Sequence, residues 1–177
     1  MLTISDKGFR GQRKDKSGPL IAEILTKSGY RVEKQDIVPD DTEKIAGCLI
    51  EWVDKDGLRL VVTTGGTGVS PTDITPEAML KIIKYQIPGM AEAMRAASLK
   101  RTPHAMLSRA MVGVRGCSLV INLPGSPDGA RENLAVILPA LNHALAKIAG
   151  DQGNCYKTSE ASPQTDPAAA GMRVISH

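Results

Sequence analysis

The segment Leu58–Thr64 constrains this chain more than any other. Its run Leu60-Val61-Val62 lacks the apolar–polar alternation of a half-buried strand, and it leads directly into Gly65-Gly66-Thr67-Gly68. Continuous apolar character over so short a stretch is the pattern of a central parallel strand covered on both faces. Such a strand requires helices on both sides of its sheet, and the remaining sequence alternates in that way.

Leu2–Ser5 reads as a short strand and Asp6–Lys16 as a polar loop carrying Lys7, Arg10, Arg13, Lys14 and Lys16. A helix is expected to start near Ser17-Gly18-Pro19, with Ser17 or Gly18 as its cap, and to stop at Gly29. Tyr30–Val38 reads as a second strand. Thr42–Lys55 reads as a helix with Ile45, Leu49, Trp52 and Val53 facing inward. Thr75-Pro76-Glu77 predicts a helix N-cap, a first-turn proline and a first-turn acid, with the helix running to about Tyr85. Pro88 to about Lys100 reads as a further helix, Ala110–Arg115 and Cys117–Asn122 as strands joined at Gly116, and Gly129–Ala149 as a last helix kinked at Pro139. Met79, Met90, Met94, Met106 and Met111 are expected to fill the core. The pattern predicts a three-layer α/β fold, a mostly parallel sheet flanked by helices with Rossmann-like topology. One domain is expected over residues 1–150, with a flexible tail over 151–177 where periodicity disappears.

Composition narrows the function. A net charge of +3 and an aromatic share of 3% argue against nucleic-acid binding, which calls for a strongly basic face or stacking platforms. Cys48, Cys117 and Cys155 are far apart and form no metal cluster with His104, His143 or His177, so reduced thiols in a cytoplasmic protein are expected. Neither a signal peptide nor an apolar stretch long enough for a membrane is visible.

Parallel sheets bind ligands outside the carboxyl ends of their strands. That rule selects Ser5-Asp6, Pro39-Asp40, Gly65–Asp73 and Leu123–Pro127, which each follow a predicted strand. The glycines can aim backbone N–H groups at phosphate oxygens, although a glycine-rich turn after a strand is at least as often just a tight turn, and neither the phosphate-loop nor the dinucleotide fingerprint is present. Asp73, beside a helix start, reads either as a solvated acid favoured by the helix dipole or as a magnesium ligand next to a triphosphate. Asp40 reads as a second carboxylate for that metal or as a helix cap, a job open equally to Asp41. Ser108-Arg109 reads as a cap or as solvent-facing surface.

Thr3-Ile4-Ser5-Asp6, Asp15-Lys16-Ser17-Gly18-Pro19, Val38-Pro39-Asp40, Thr64–Gly68, Asp73–Ala78, Leu107-Ser108-Arg109 and Asn122–Pro127 occur in an order that resembles the MogA/MoaB family, which includes the pterin-adenylating domains of plant Cnx and animal gephyrin proteins. The likeness runs from Leu2 to Gly150. It implies a homotrimer that uses ATP and magnesium to convert molybdopterin into adenylylated molybdopterin and pyrophosphate, with transient contact to a MoeA-like molybdotransferase. It also implies that Asp40 and Asp73 are the essential acids, and the chemistry then suggests magnesium held by Asp73, with Asp40 as a candidate second ligand. Ser5, Asp6, Gly65, Gly66, Thr67, Gly68, Pro124 and Gly125 would contact the nucleotide, and Ser108 and Arg109 would lie on the pterin side. A non-catalytic molybdopterin carrier or scaffold of the same fold is the alternative, against which the two acids count. MoeA-type and CinA-like enzymes carry this domain within longer chains, and no second domain is expected here.

Overall fold

The computed structural model of the chain describes residues 1–150, so the predicted tail at 151–177 lies outside the described residues. Six strands form one sheet: β1 (Leu2–Ile4), β2 (Asp36–Val38), β3 (Leu60–Thr64), β4 (Tyr85–Gln86), β5 (Val112–Arg115) and β6 (Ser118–Leu123), in the order β2-β1-β3-β6-β5-β4. Only β5 runs against the others, so the sheet is mostly parallel, as the pattern predicted. The helices are α1 (Asp6–Phe9), α2 (Ser17–Lys27), α3 (Thr42–Ile50), α4 (Thr75–Ile82), α5 (Pro88–Leu99) and α6 (Pro127–Ile148).

Alternate residues of the central strands feed two cores. Val62, Leu119, Ile121 and Leu123 pack with α2, α5 and α6 through Ile21, Leu25, Met94, Leu134 and Leu141. Val61 and Val120 face the other way with Leu2 and Ile4, against Ile45, Leu49 and Trp52 after α3 and Met79 and Ile82 of α4. Each such side chain removed fully from water contributes roughly 1.5–3 kcal/mol. These two cores turn the carboxyl ends of β1, β3 and β6 toward one rim.

Several boundaries differ from expectation for identifiable reasons. The Asp6–Lys16 loop begins with the one-turn helix α1, because the Ser5 hydroxyl accepts from the Gly8 amide at 3.1 Å. Within Tyr30–Val38 only Asp36–Val38 is a strand, since β1 offers just Leu2–Ile4 to pair with it. The helix from Thr42 continues to Lys55 through a wider π turn at Glu51–Lys55, which leaves both Trp52 and Val53 buried. Helix α4 stops at Ile82 instead of Tyr85, because Tyr85 and Gln86 pair with Val114 and Gly113. Met106 is exposed on a 3-10 turn over Pro103–Leu107 that the sequence did not signal, whereas Met79, Met94 and Met111 are buried.

Candidate active site

A cleft of about 720 Å³ opens at the carboxyl ends of β1, β3 and β6, within the size range of small-molecule sites. Among the residues singled out from sequence, Ser5, Asp40, Gly65, Gly66, Thr67, Gly68, Asp73 and Gly125 line it. Asp6, Pro124, Ser108 and Arg109 lie outside its lining.

The glycine loop has its carbonyls captured from behind. The Gly65 carbonyl accepts from the Thr75 hydroxyl at 2.9 Å and from Asn122 Nδ2 at 3.3 Å, and the Gly66 carbonyl accepts from the Thr75 amide at 3.2 Å. The Thr67 carbonyl accepts from the Arg109 amide at 2.7 Å, and the Gly68 carbonyl accepts from Arg109 Nε at 2.7 Å. Across a trans peptide the C=O and the following N–H point in opposite directions. The amides of Gly66, Thr67 and Gly68 therefore turn away from these partners, and they meet no acceptor among the described residues. The geometry requires glycine: Gly65 and Gly66 sit at φ 108° and 63°, and a Cβ would strike the Ile4 carbonyl at the first and the Thr75 hydroxyl at the second. A row of inward amides of this kind is an anion cradle.

Thr75 reaches this position by departing from the predicted cap. Ile74 occupies the N-cap of α4 without a side-chain bond, and the Thr75 hydroxyl goes to Gly65 instead. Arg109 is the second long-range brace. Besides its bonds to Thr67 and Gly68, its guanidinium donates to the Asp73 carbonyl and pairs with Glu77. Ser108 stays local, its hydroxyl accepting from the Ala110 amide at 3.3 Å.

The acids converge. The amide of Asp6 donates to Asp40 Oδ2 and the amide of Asp40 donates to Asp6 Oδ1, which couples the ends of β1 and β2. Asp41, not Asp40, caps α3, accepting from the amides of Glu43 and Lys44 at 3.0 Å each. Asp40 is thereby left to face the cleft. Burial raises its pKa above the ordinary carboxylate value, with repulsion from Asp6 and Asp73 adding to the rise and the Asp6 amide and Arg13 opposing it. Asp73 Oδ2 accepts from the Ser70 amide at 2.9 Å. Among the described residues no three His, Cys, Asp or Glu side chains gather into a closed metal cage.

Asp15 carries no local sequence signal of its role. Its Oδ1 accepts from the amides of Ser17 and Gly18, and its Oδ2 accepts from the Thr3 hydroxyl at 2.6 Å, so Asp15 caps α2 in place of Ser17 or Gly18. The Ser17 hydroxyl donates instead to the Gly125 carbonyl at 2.8 Å, fastening α2 to the β6–α6 loop. Lys14 and Lys16 line the cleft beside Arg13 and make no ion pair with another described residue. The cleft so built brings together free amides, the cations of Arg13, Lys14 and Lys16, and the carboxylates of Asp40 and Asp73.

Residues 1–143 match the family described as "Probable molybdopterin binding domain". The chain is 42% identical over 155 residues to the molybdopterin adenylyltransferase of Helicobacter pylori strain J99, a match covering 85% of this chain and 87% of that protein. It is 36% identical over 159 residues to the molybdenum cofactor synthesis protein cinnamon of Drosophila melanogaster, spanning 89% of this chain but only 26% of that longer protein. The structure of MoaB, a molybdopterin biosynthesis enzyme of Thermus thermophilus, superposes with a TM-score of 0.80 at 48% identity, covering 85% of this chain and 94% of MoaB. No helix among the described residues is long and apolar enough to cross a membrane.

Proposed function

This chain belongs to the MogA/MoaB family of molybdopterin-binding domains, and we propose on that premise that it adenylylates molybdopterin with ATP, releasing pyrophosphate. One observation carries the reading: the unpartnered amides of Gly66, Thr67 and Gly68 share a cleft with the carboxylates of Asp40 and Asp73. Amides select an anion and carboxylates select a cation, and a metal–triphosphate complex is both.

The nucleophile is a terminal phosphate oxygen of molybdopterin, which attacks the α-phosphorus of ATP as the bond from that phosphorus to the bridging oxygen of the β-phosphate breaks. A phosphate monoester is already an anion near neutral pH, so no strong general base is required. What the protein supplies is alignment and charge compensation. The Gly66–Gly68 amides hold phosphate oxygens, with Ser5 and Gly125 completing the nucleotide wall. Asp6 and Pro124 work from behind it, Asp6 through its amide on Asp40 and Pro124 through its carbonyl, which accepts from the Thr64 hydroxyl at 2.5 Å. Arg13, Lys14 and Lys16 meet the charge of the departing pyrophosphate.

Magnesium suits this donor set. Burial and the neighbouring Asp6 and Asp73 charges disfavour an unaccompanied charge on Asp40, which a cation would relieve, and two carboxylates without a third ligand leave room for phosphate oxygens and water. Bound by Asp40 and Asp73, the ion would supply charge neutralisation on the triphosphate. Ser108 keeps its proposed place on the pterin side. The same reading has the protein working in the cytoplasm as a homotrimer and handing its product to a MoeA-like molybdotransferase.

The test is an assay of the purified protein with molybdopterin, ATP and magnesium. Pyrophosphate should appear in step with adenylylated molybdopterin, and Asp73→Asn should abolish both while remaining folded. Molybdopterin binding without pyrophosphate release would make the protein a carrier, and full activity in Asp73→Asn would remove the acid from its assignment.

A further inference from the structure

Arg109 approaches the glycine loop from outside the cleft. Its amide holds the Thr67 carbonyl and its Nε the Gly68 carbonyl, each at 2.7 Å, while its two terminal nitrogens reach the Asp73 carbonyl and the Glu77 carboxylate. One residue therefore fixes both ends of the Thr67–Asp73 segment, 42 and 36 positions away in sequence. The main-chain amide of Arg109, by capturing the Thr67 carbonyl, turns the Gly68 amide inward whatever the side chain, and the side chain then fixes the next peptide by holding the Gly68 carbonyl. Holding the Asp73 carbonyl from behind leaves the carboxylate of the same residue to the cleft side, where it lines the wall. Gly68 packs so closely here that a Cβ would lie 2.7 Å from Asp73 Oδ2.

The charge of Arg109 is already matched. Glu77, in the first turn of α4, pairs with the guanidinium, and the hydrogen bond from Arg109 holds the Glu77 carboxyl below its ordinary range. A guanidinium answered by a carboxylate adds little net field at the cleft. Its planar fork, however, can hold a carbonyl and a carboxylate in fixed directions, which a lysine ammonium cannot reproduce.

We propose that the Arg109 side chain is a positioning group for adenylyl transfer: by gripping the Gly68 and Asp73 carbonyls it fixes the Gly68–Asp73 stretch of the loop and aims the Asp73 carboxylate, and it does not itself bind the pterin or the phosphates. This inference rests on the adenylylation reading. A direct electrostatic role and a positional role predict opposite results for two substitutions. If the charge acted on an anion, Arg109→Lys would retain function and Glu77→Gln would strengthen nucleotide binding by unmasking the cation. If the grip matters, Arg109→Lys fails to restore function and Glu77→Gln weakens the site in the same direction.

The experiment compares the full chain with Arg109→Lys and Glu77→Gln. It measures kcat, the KM for each substrate, the magnesium concentration at half-saturation, and ATP affinity by calorimetry with and without magnesium. The positional role predicts that Arg109→Lys lowers kcat about 10–100-fold. It also predicts a higher magnesium half-saturation and weaker ATP binding even without magnesium, with the KM for molybdopterin little changed. Glu77→Gln should shift the same quantities less far, and it carries the test alone if Arg109→Lys does not fold. Wild-type values in Arg109→Lys, tighter ATP binding in Glu77→Gln, or a change confined to the KM for molybdopterin would overturn the proposal. Should the wild type release no pyrophosphate, the adenylylation reading fails, and the calorimetric comparison still decides whether Arg109 shapes the nucleotide cleft.

Discussion

Asp6 and Asp40 hold one another through reciprocal bonds, each amide donating to the other's carboxylate at 2.8 Å and 3.1 Å. The pair ties the end of β1 to the end of β2, so the position of Asp40 depends on a residue that does not line the cleft. Asp6→Ala should lower kcat by roughly 10–100-fold through misplacement of Asp40. Asp6→Asn retains an acceptor for the Asp40 amide and should keep more activity. Steady-state pyrophosphate release distinguishes them, and wild-type kinetics in Asp6→Ala would remove the pair from the site.

Asp40 itself should show function and stability pulling apart. Burial, together with the Asp6 and Asp73 charges, raises its pKa in the folded protein above the unfolded value. The folded state thus holds this proton more tightly than the unfolded chain. Its contribution to stability is fully present below the ordinary carboxylate value of about 3.9 and is lost as pH rises through the higher folded value. Ionised Asp40 is therefore a cost at pH 7. Asp40→Asn should lose at least about 100-fold in kcat, equivalent to about 2.7 kcal/mol of barrier, if this carboxylate holds the metal as proposed. Yet it should melt at or above the wild-type temperature at pH 7, with the difference closing near pH 3. Magnesium-ATP should raise the melting temperature of the wild type more than that of the variant. A variant that melts well below wild type at pH 7 would show that Asp40 is instead a structural acid.

Two glycines offer a paired test of backbone demand. Gly65 holds φ 108° against the Ile4 carbonyl, whereas Gly47 lies on the exposed side of α3 with nothing within 4 Å of where a Cβ would sit. Gly65→Ala should destabilise by at least about 2 kcal/mol and disrupt nucleotide binding. Gly47→Ala should stabilise by about 0.5–1 kcal/mol, because alanine suits a helix interior and restricts the unfolded chain. Chemical denaturation measures both, and equal effects would mean that the loop conformation is not a constraint.

Local patterns were the legible part of this molecule. The unalternating strand β3, the Pro76-Glu77 start of α4 and the rim positions of Asp40, Asp73 and the glycines each follow from a few neighbouring residues and the rule for parallel sheets. What stayed hidden depends on contacts across long separations. Thr75 has the sequence of a helix cap, but its hydroxyl is spent on Gly65, ten residues back. Asp15 rather than Ser17 caps α2 because the Ser17 hydroxyl finds the Gly125 carbonyl, 108 positions away. Tyr85 and Gln86 become a strand only because the β5–β6 hairpin presents an edge to them. Arg109 looked like surface or pterin contact, since nothing near it in sequence signals the loop it grips.

On the adenylylation reading, the capping of α2 decides where the triphosphate charge must be met. Asp15 occupies the amides of Ser17 and Gly18, so the start of this helix cannot offer those donors to a phosphate. Lys14 and Lys16 flank that cap, line the cleft, and are exposed and unpaired among the described residues. Charges held this way act through an open, solvated field and are weakened by salt, with a Debye length of about 10 Å at 0.1 M and about 3 Å at 1 M. The double substitution Lys14→Ala and Lys16→Ala should raise the KM for ATP about 10-fold at low ionic strength, and much less at 0.5 M salt. AMP affinity should fall less than ATP affinity, because the effect follows the phosphate charge, and the melting temperature should hardly move because no bond is lost. If AMP and ATP weaken equally, or the effect persists undiminished at high salt, the two lysines shape the cleft wall instead of attracting the triphosphate.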